Sequence, residues 1–385
     1  MFEWVQFSFP SRIFIERDCT HKIGSMVKDM GQRVLILSVR GEQRNSDELA
    51  VIRTSLEKHT SGCILYDDMN AAPGPQDLDT AAYFLRQCKA DFVLAYGSRQ
   101  TFNAARVMAL LATNDVFAED LPQATFPLKK APLPVACVPV GPSMGEEASS
   151  SFTLFNPETH TTFSASDYRL FPAMVFVDPN ISLPTPMAEI TRAGVAIMAA
   201  AVETMLARKA NDISNAMALR ALELAARNVI TLAQEPANNS ARFNLCLASL
   251  MSGMAHSNSR LGLCYSIAEA TYHLTGLDFF MSMAIMLPHV MEYNLTTSAG
   301  KYVQIARALE EDIQDITVIE AAIKAVEGVR KVYLELKIPQ RLSDFEVKKS
   351  DLPSIAEMAY MMPLSRNTPR DMDRNEIETV LIAAY

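Results

Sequence analysis

The sequence predicts an α/β domain over residues 1–182, followed by an all-helical domain over residues 183–385. In the first half, short β-branched runs alternate with amphipathic stretches, which is typical of βαβ units around a parallel sheet. Three prolines then fall between Pro179 and Pro186. Beyond them the apolar residues keep helical spacing with almost no strand pattern, so the boundary is predicted near residue 182.

The individual elements follow from the period of the apolar residues. Five near-continuous apolar runs fit strands that are covered on both faces: Arg33–Val39, Cys63–Asp68, Asp91–Tyr96, Val135–Val140 and Ala173–Val177. Amphipathic segments between them include Glu48–Lys58 and Asp77–Lys89. The second half is predicted to form seven helices: Met187–Arg208, Ala210–Gln234, Ser240–Ser257, Leu261–Leu274, Phe280–Tyr293, Ile316–Leu336 and Glu376–Ala384.

Composition excludes several classes of protein. The chain has 385 residues with 49% hydrophobic and 21% charged side chains, which is ordinary for a globular protein and excludes a disordered or collagen-like chain. A net charge of −9 disfavours binding to nucleic acid or to an anionic membrane. The longest apolar run, Ala193–Val202, is shorter than the ~18 residues that a membrane span needs. Six cysteines without a C-x-x-C pair and an N-terminus without a signal-peptide pattern predict a cytoplasmic protein.

Four short stretches carry a resemblance to a known family. They are Phe176–Pro179, Ala193-Gly194, Leu261–Leu263 and Ala284–Met291, and the last is similar to the family motif A-I-L-L-P-H-V-M. On these residues the chain resembles the iron-containing (group III) alcohol dehydrogenases. The resemblance implies the dehydroquinate synthase-like fold, in which a Rossmann-like dinucleotide-binding domain precedes a helical metal domain. It also implies an ancestry in alcohol oxidoreduction.

The resemblance implies four metal ligands, an Asp and three His, and the sequence departs from all of them. The corresponding positions are Ala196, Ala200, Tyr265 and Phe279. An auxiliary family histidine falls on Glu269. Alanine and phenylalanine offer no donor atom, and a neutral phenol is a poor ligand. We therefore expect no metal at these positions.

The loops that hold the dinucleotide in the family are also altered. The nine corresponding positions are Gly97, Ser98, Arg99, Gln100, Asn103, Val140, Gly141, Gly145 and Glu146. Ser98 and Arg99 replace glycines that allow close approach of the backbone to a pyrophosphate, and the carboxylate of Glu146 repels it. These changes predict no cofactor, or at most weak binding of NAD(P). If a dinucleotide binds, Arg40 after the first strand favours NADP(H).

Two functions remain open on this sequence. The first is a non-catalytic homologue with an interaction or regulatory role, because the changes fall on site positions while the core motifs survive. The alternative is a metal-independent NAD(P)H-dependent alcohol or aldehyde oxidoreductase that uses the same interdomain cleft. In that case Tyr265 and Glu269, one helical turn apart, act as acid and base. Whether the chain is an enzyme is left undecided.

The expected partners follow from the same observations. The family assembles as dimers through an N-terminal edge strand, and the apolar alternation of Phe2–Arg17 predicts a homodimer of the same kind. A non-catalytic role also implies a protein partner. Neither nucleic acid nor a membrane is an expected partner.

Overall fold

The structure is a computed structural model that describes residues 6–41, 46–123 and 128–385. The chain forms two compact units, one spanning Ser8–Thr185 and one containing Pro186–Tyr385. The first is an α/β unit and the second is built from helices. Within the described ranges, no helix combines the length and the apolar character needed to cross a membrane.

A parallel sheet forms the centre of the α/β unit. The strands are β1 Arg12–Ile15, β2 Arg33–Val39, β3 Gly62–Met69, β4 Phe92–Gly97, β5 Val135–Pro139, β6 Ser151–Asn156, β7 Thr161–Ser166 and β8 Met174–Val177. Six of them pair in the order β1-β8-β5-β4-β2-β3, and all neighbours in this sheet are parallel. The other two, β6 and β7, form a separate antiparallel hairpin.

Helices cover both faces of this sheet. They are α1 Ile23–Val27, α2 Ser46–Glu57, α3 Pro75–Gln87 and α4 Arg99–Thr113. Successive residues of β2 alternate between two cores: Leu35 packs with side chains of α3 and α4, and Ile36 with side chains of α1 and α2. This alternation explains why the strands are apolar throughout.

The helical unit is organised around a long apolar helix. Its helices are α5 Met187–Leu206, α6 Asp212–Gln234, α7 Asn239–Ser259, α8 Leu263–Thr275, α9 Phe279–Asn294, α10 Ala299–Ala308, α11 Val318–Glu335, α12 Leu352–Met361 and α13 Arg374–Ala383. α5 contacts α6, α7 and α9. Gly194 lets α5 approach α6 closely, because a Cβ atom there would lie 2.5 Å from Cγ2 of Val229.

The predicted fold class is confirmed, and the five predicted strands match observed strands within two residues at each end. The hairpin of β6 and β7 was missed because its strands are rich in Ser and Thr and lack an apolar run. Helices α10 and α12 were also missed. Of the predicted pairing segment Phe2–Arg17, Arg12–Ile15 forms a strand, and residues 1–5 lie outside the described ranges.

Candidate active site

One face of α5 presents small side chains at the positions that the resemblance assigns to metal ligands. Ala196 and Ala200 lie one turn apart, and both are fully buried. Thr204 continues the same face one turn later and is also fully buried. The alanines present only methyl groups, so this stretch of α5 offers packing surface rather than donor atoms.

Two aromatic rings occupy the other two positions. Tyr265 lies near the start of α8 and Phe279 is the first residue of α9, and the two side chains are 7% and 5% exposed. Their ring centroids are 5.4 Å apart, with an edge-to-face angle of 74°. This is a favourable aromatic geometry.

α8 also carries a line of polar side chains at helical spacing. Tyr265, Glu269 and His273 lie at successive four-residue steps and therefore on one helix face. The Glu269 carboxylate is fully buried, and its Oε2 lies 3.3 Å from Nε2 of His273, whose side chain is 9% exposed. The sequence did not point to His273, because it is not paired with another histidine at helical spacing. A Glu-x-x-x-His spacing on a predicted helix would have found it.

Glu203 fixes the start of this helix. Its Oε1 accepts a hydrogen bond from the amide of Cys264 at 2.5 Å, and its Oε2 accepts one from the amide of Tyr265 at 3.2 Å. A carboxylate at this end of α8 satisfies amides that have no partner within the helix. Burial raises the pKa of Glu203 to about 7, against the opposing effect of these hydrogen bonds.

The predicted cofactor residues surround the turn between β4 and α4. Gly97 ends β4, Ser98 is the N-cap of α4, and α4 begins at Arg99. Gln100 and the buried Asn103 follow within the first two turns of α4.

The second predicted loop lies against the first. The amide of Val140 donates to the carbonyl oxygen of Gly97 at 3.0 Å, and Gly141 follows directly. Gly145 has a φ of 99°, which is a left-handed conformation that favours glycine. The structure thus brings the nine predicted positions of the α/β unit together around one strand–turn–helix junction.

Glu146 is held internally in this junction. Its Oε2 accepts hydrogen bonds from Oγ of Ser143 at 2.8 Å and from the amide of Met144 at 3.2 Å. Its Oε1 lies 3.8 Å from Nε of Arg99. Arg106 is buried and donates to the backbone carbonyl of Glu146, and burial lowers the pKa of this guanidinium. The carboxylate is therefore compensated by neighbours of this chain.

Comparison with known proteins decides the family. A sequence profile described as "Iron-containing alcohol dehydrogenase" matches residues 10–179, and one described as "Fe-containing alcohol dehydrogenase family, C-terminal" matches residues 190–385. The chain belongs to the iron-containing alcohol dehydrogenase family. The resemblance inferred from the sequence motifs is thereby confirmed.

Individual known proteins are similar to this chain over nearly its whole length. The chain is 28% identical over 360 residues to the 1,3-propanediol dehydrogenase of Klebsiella pneumoniae, with 92% of each chain covered. The crystal structure of a 1,3-propanediol oxidoreductase superposes with a TM-score of 0.93 at 24% identity, covering all of both chains. The sulfoacetaldehyde reductase of Bifidobacterium kashiwanohense, solved in complex with NAD⁺, gives a TM-score of 0.84 at 17% identity and covers 99% of each chain.

The prediction of no metal and at most weak NAD(P) is wrong for a member of the iron-containing alcohol dehydrogenases. The family is named for its iron, and a neighbour of the same fold was solved with NAD⁺. For the dinucleotide, the physical reason lies in Glu146, which was treated as a free charge although Arg99 and Ser143 compensate it. For the metal, the prediction used only the ligand positions transferred from the family.

Those four transferred positions do not themselves fit an iron ion. Ala196, Ala200 and Phe279 have no lone pair to offer, and the Tyr265 ring packs edge-to-face against Phe279. In residues 6–41, 46–123 and 128–385, no three His, Cys, Asp or Glu side chains lie close enough to share one metal ion.

Proposed function

We propose that this chain is a nicotinamide-dependent oxidoreductase that interconverts an aldehyde and an alcohol. The observation that carries the proposal is the polar face of α8. There the buried Glu269 pairs with His273 one turn after Tyr265. A buried carboxylate with an imidazole partner is an arrangement suited to proton transfer.

The β4–α4 junction supports dinucleotide binding. Gly97 and Ser98 place the amino end of α4 at a turn that follows a parallel strand, where the helix dipole favours a phosphate. Arg99 adds a positive charge to the first turn of the helix. A bound nicotinamide supplies the hydride for carbonyl reduction. The prediction that Arg40 favours NADP(H) over NAD(H) stays a prediction. In the structure the Arg40 guanidinium pairs with Asp68.

The proton for the carbonyl oxygen comes from Tyr265 in this proposal. Hydride transfer leaves a negative charge on the carbonyl oxygen. The Tyr265 phenol, near the start of α8, is the group on the polar helix face that donates a proton to it. Glu269 orients the polar side chains of this helix face. His273, whose side chain is 9% exposed, connects the face to solvent. In the reverse direction the same groups take the proton from an alcohol.

Substitutions on α8 test the proposal. The oxidation of NADH and NADPH is followed with a series of short aldehydes, with and without added Fe²⁺. We expect Tyr265→Phe to lower kcat by about 10²–10⁴-fold, because general acid–base groups contribute that much. We expect Glu269→Gln and His273→Gln to lower it less. The matched control is Tyr83→Phe, at a tyrosine that is 59% exposed on α3 and should keep wild-type kcat.

A kcat that is unchanged in Tyr265→Phe would contradict the assignment of the acid. The second candidate function is a non-catalytic binding protein, which is favoured by the alanines and paired aromatic rings at Ala196, Ala200, Tyr265 and Phe279. It predicts that the wild-type protein turns over no aldehyde under any of these conditions and shows no dinucleotide binding by calorimetry.

A further inference from the structure

Arg260 has a backbone conformation that residues other than glycine rarely adopt. It is the C-cap residue of α7, with φ 68° and ψ 160°. In this region a Cβ atom crowds the backbone, so the region is occupied almost only by glycine. Such outliers persist where the surrounding structure holds them, and they cluster at functional sites.

Asn367 holds the backbone on both sides of Arg260. Its side-chain Nδ2 donates to the carbonyl oxygen of Ser259 at 2.8 Å and to that of Leu261 at 3.0 Å. The amide of Arg260 donates to the carbonyl oxygen of His256 at 2.8 Å. The peptide groups before and after Arg260 are therefore fixed, and the strained conformation is maintained from outside the residue.

The guanidinium of Arg260 has no counter-charge among the residues that the structure describes. It is partly buried, and burial lowers its pKa. Within the part of the chain that the structure describes, neither an ion pair nor a hydrogen bond joins this side chain to another residue. Arg208 is different, since its guanidinium pairs with Asp371 at 2.5 Å. A partly desolvated cation without an anion is unfavourable unless an external anion binds it.

The helix dipole does not account for Arg260. A cation near the end of α7 interacts favourably with the carboxyl end of the helix. That interaction is available to any basic side chain in the last helical turn, where the backbone is unstrained, and His256 already stands there. The strained position therefore needs another explanation.

The backbone of Arg260 is held in place a short distance along the chain from that of Tyr265. It begins the short connection Arg260–Gly262 between α7 and α8, and Tyr265 follows five residues later. Asn367 fixes the first part of this connection, and Glu203 fixes the amides at its far end. The backbones that carry the guanidinium and the phenol thus belong to one segment that is held at both ends.

We propose that Arg260 binds the carboxylate of the substrate, so that the chain acts on short aldehydes and alcohols that carry an acidic group. This inference rests on the proposed oxidoreductase function and names its substrate class. A planar guanidinium binds a carboxylate through two parallel N–H···O hydrogen bonds. Because the side chain is partly buried, the attraction is stronger than at an open surface.

The test uses Arg260→Gly and Arg260→Lys in the full chain. In thermal unfolding, succinate should raise the melting temperature of the wild type and leave that of Arg260→Gly unchanged. Without ligand, Arg260→Gly should itself melt about 2–4 °C higher than the wild type, because glycine relieves the backbone strain. Arg260→Lys keeps the charge without the planar fork and should respond weakly to succinate.

Turnover supplies a second measurement. With 4-oxobutanoate, which carries a carboxylate, kcat/KM should fall about 10- to 100-fold in Arg260→Gly. With butanal, its uncharged counterpart, kcat/KM should fall much less, so that the ratio of the two kcat/KM values changes about 10-fold or more. The matched control is Lys337→Gly, at an exposed basic residue with φ 56° after α11, which should leave the succinate response and both kcat/KM values at wild-type level.

The outcomes separate this inference from the proposed function. A succinate response that persists in Arg260→Gly, or a lower melting temperature in that variant without ligand, would overturn the role of Arg260. A larger response to inorganic phosphate than to succinate would overturn the carboxylate as the ligand group. If neither aldehyde is turned over but succinate stabilises only the chains with arginine at position 260, the oxidoreductase function fails and the carboxylate site stands.

Discussion

The buried carboxylate of Glu203 makes the stability of the helical unit depend on pH. Its pKa is raised from 4.5 to about 7 in the folded protein, chiefly by burial. Between these two values the folded chain holds a proton that the unfolded chain has released, so stability falls as the pH rises. The full effect is about 3 kcal/mol, present below pH 4.5 and lost as the pH passes about 7.

We therefore expect Glu203→Gln to flatten this pH dependence. Urea unfolding at several pH values between 5 and 8 measures how the free energy of unfolding changes with pH. The amide retains one acceptor for the amides of α8 but has no proton to lose in this range. Glu119→Gln, at an exposed carboxylate, is the control and should keep the wild-type slope. Equal slopes in Glu203→Gln and the wild type would show that another group is responsible.

At the scale of the elements, the crossing of α5 and α6 depends on Gly194. A Cβ atom at this position would lie 2.5 Å from Cγ2 and 2.8 Å from Cβ of Val229, which is closer than packed atoms approach. We expect Gly194→Ala to lower the free energy of unfolding by about 1–3 kcal/mol through overpacking. Chemical denaturation measures the loss.

A second glycine provides the comparison for this prediction. Gly300 lies in α10, and a Cβ atom there would meet nothing within 4 Å. Gly300→Ala should therefore be neutral or stabilise the chain by up to about 1 kcal/mol, because alanine has the higher helix propensity. Restoration of stability in the double variant Gly194→Ala, Val229→Ala would support the steric cause, and equal effects of the two glycine substitutions would contradict it.

The strands and helices also show how much of the fold could be predicted from the sequence. The strands of the sheet are covered on both faces and read as apolar runs, so their positions could be predicted. In the hairpin of β6 and β7, apolar and polar residues alternate, as Phe152 and Leu154 do within Ser151–Asn156, so the strand has no continuous apolar run. The spacing of apolar residues predicted one helix for Tyr265 and Glu269, and the structure has both on α8, but no motif indicates which side chains pair.

Contacts between side chains, which only the structure shows, changed the interpretation of the site. The sequence showed that Glu146 is acidic, and only the structure shows that Arg99 and Ser143 compensate it. Likewise, Arg260 is one arginine among many until its backbone angles are known. Contacts between residues far apart in the chain, such as those of Asn367, have no local signal in the sequence.

At the scale of the whole molecule, we expect two copies to pair through β1. This strand lies at the edge of the sheet, and the amides of Arg12 and Glu16 donate to carbonyl oxygens at the two ends of β8. Because donors alternate along a strand, the amides of Ile13 and Ile15 point away from β8. No described strand lies on this side of β1, and an open sheet edge is a template for pairing with another chain.

Light scattering after size exclusion measures the mass of the assembly. We expect twice the chain mass of 42.5 kDa for the wild type. Ile13→Pro removes one outward donor without touching the hydrogen bonds to β8, and it should shift the protein towards the single-chain mass. Ile13→Val keeps the donor and should behave as the wild type. A wild-type protein with the mass of one chain would contradict pairing through this edge.

The hydrogen bonds of Asn367 also determine when, during protein synthesis, the backbone conformation of Arg260 can be fixed. Ser259 and Asn367 are 108 residues apart in the chain. At roughly 5–20 residues per second, a ribosome needs about 5–20 s to proceed from one to the other. Until then α7 and α8 can form, but the carbonyl groups of Ser259 and Leu261 lack the side chain that holds them in the folded protein, and Arg260 can adopt an ordinary backbone conformation. The carboxylate site would therefore appear only after residue 367 has been made.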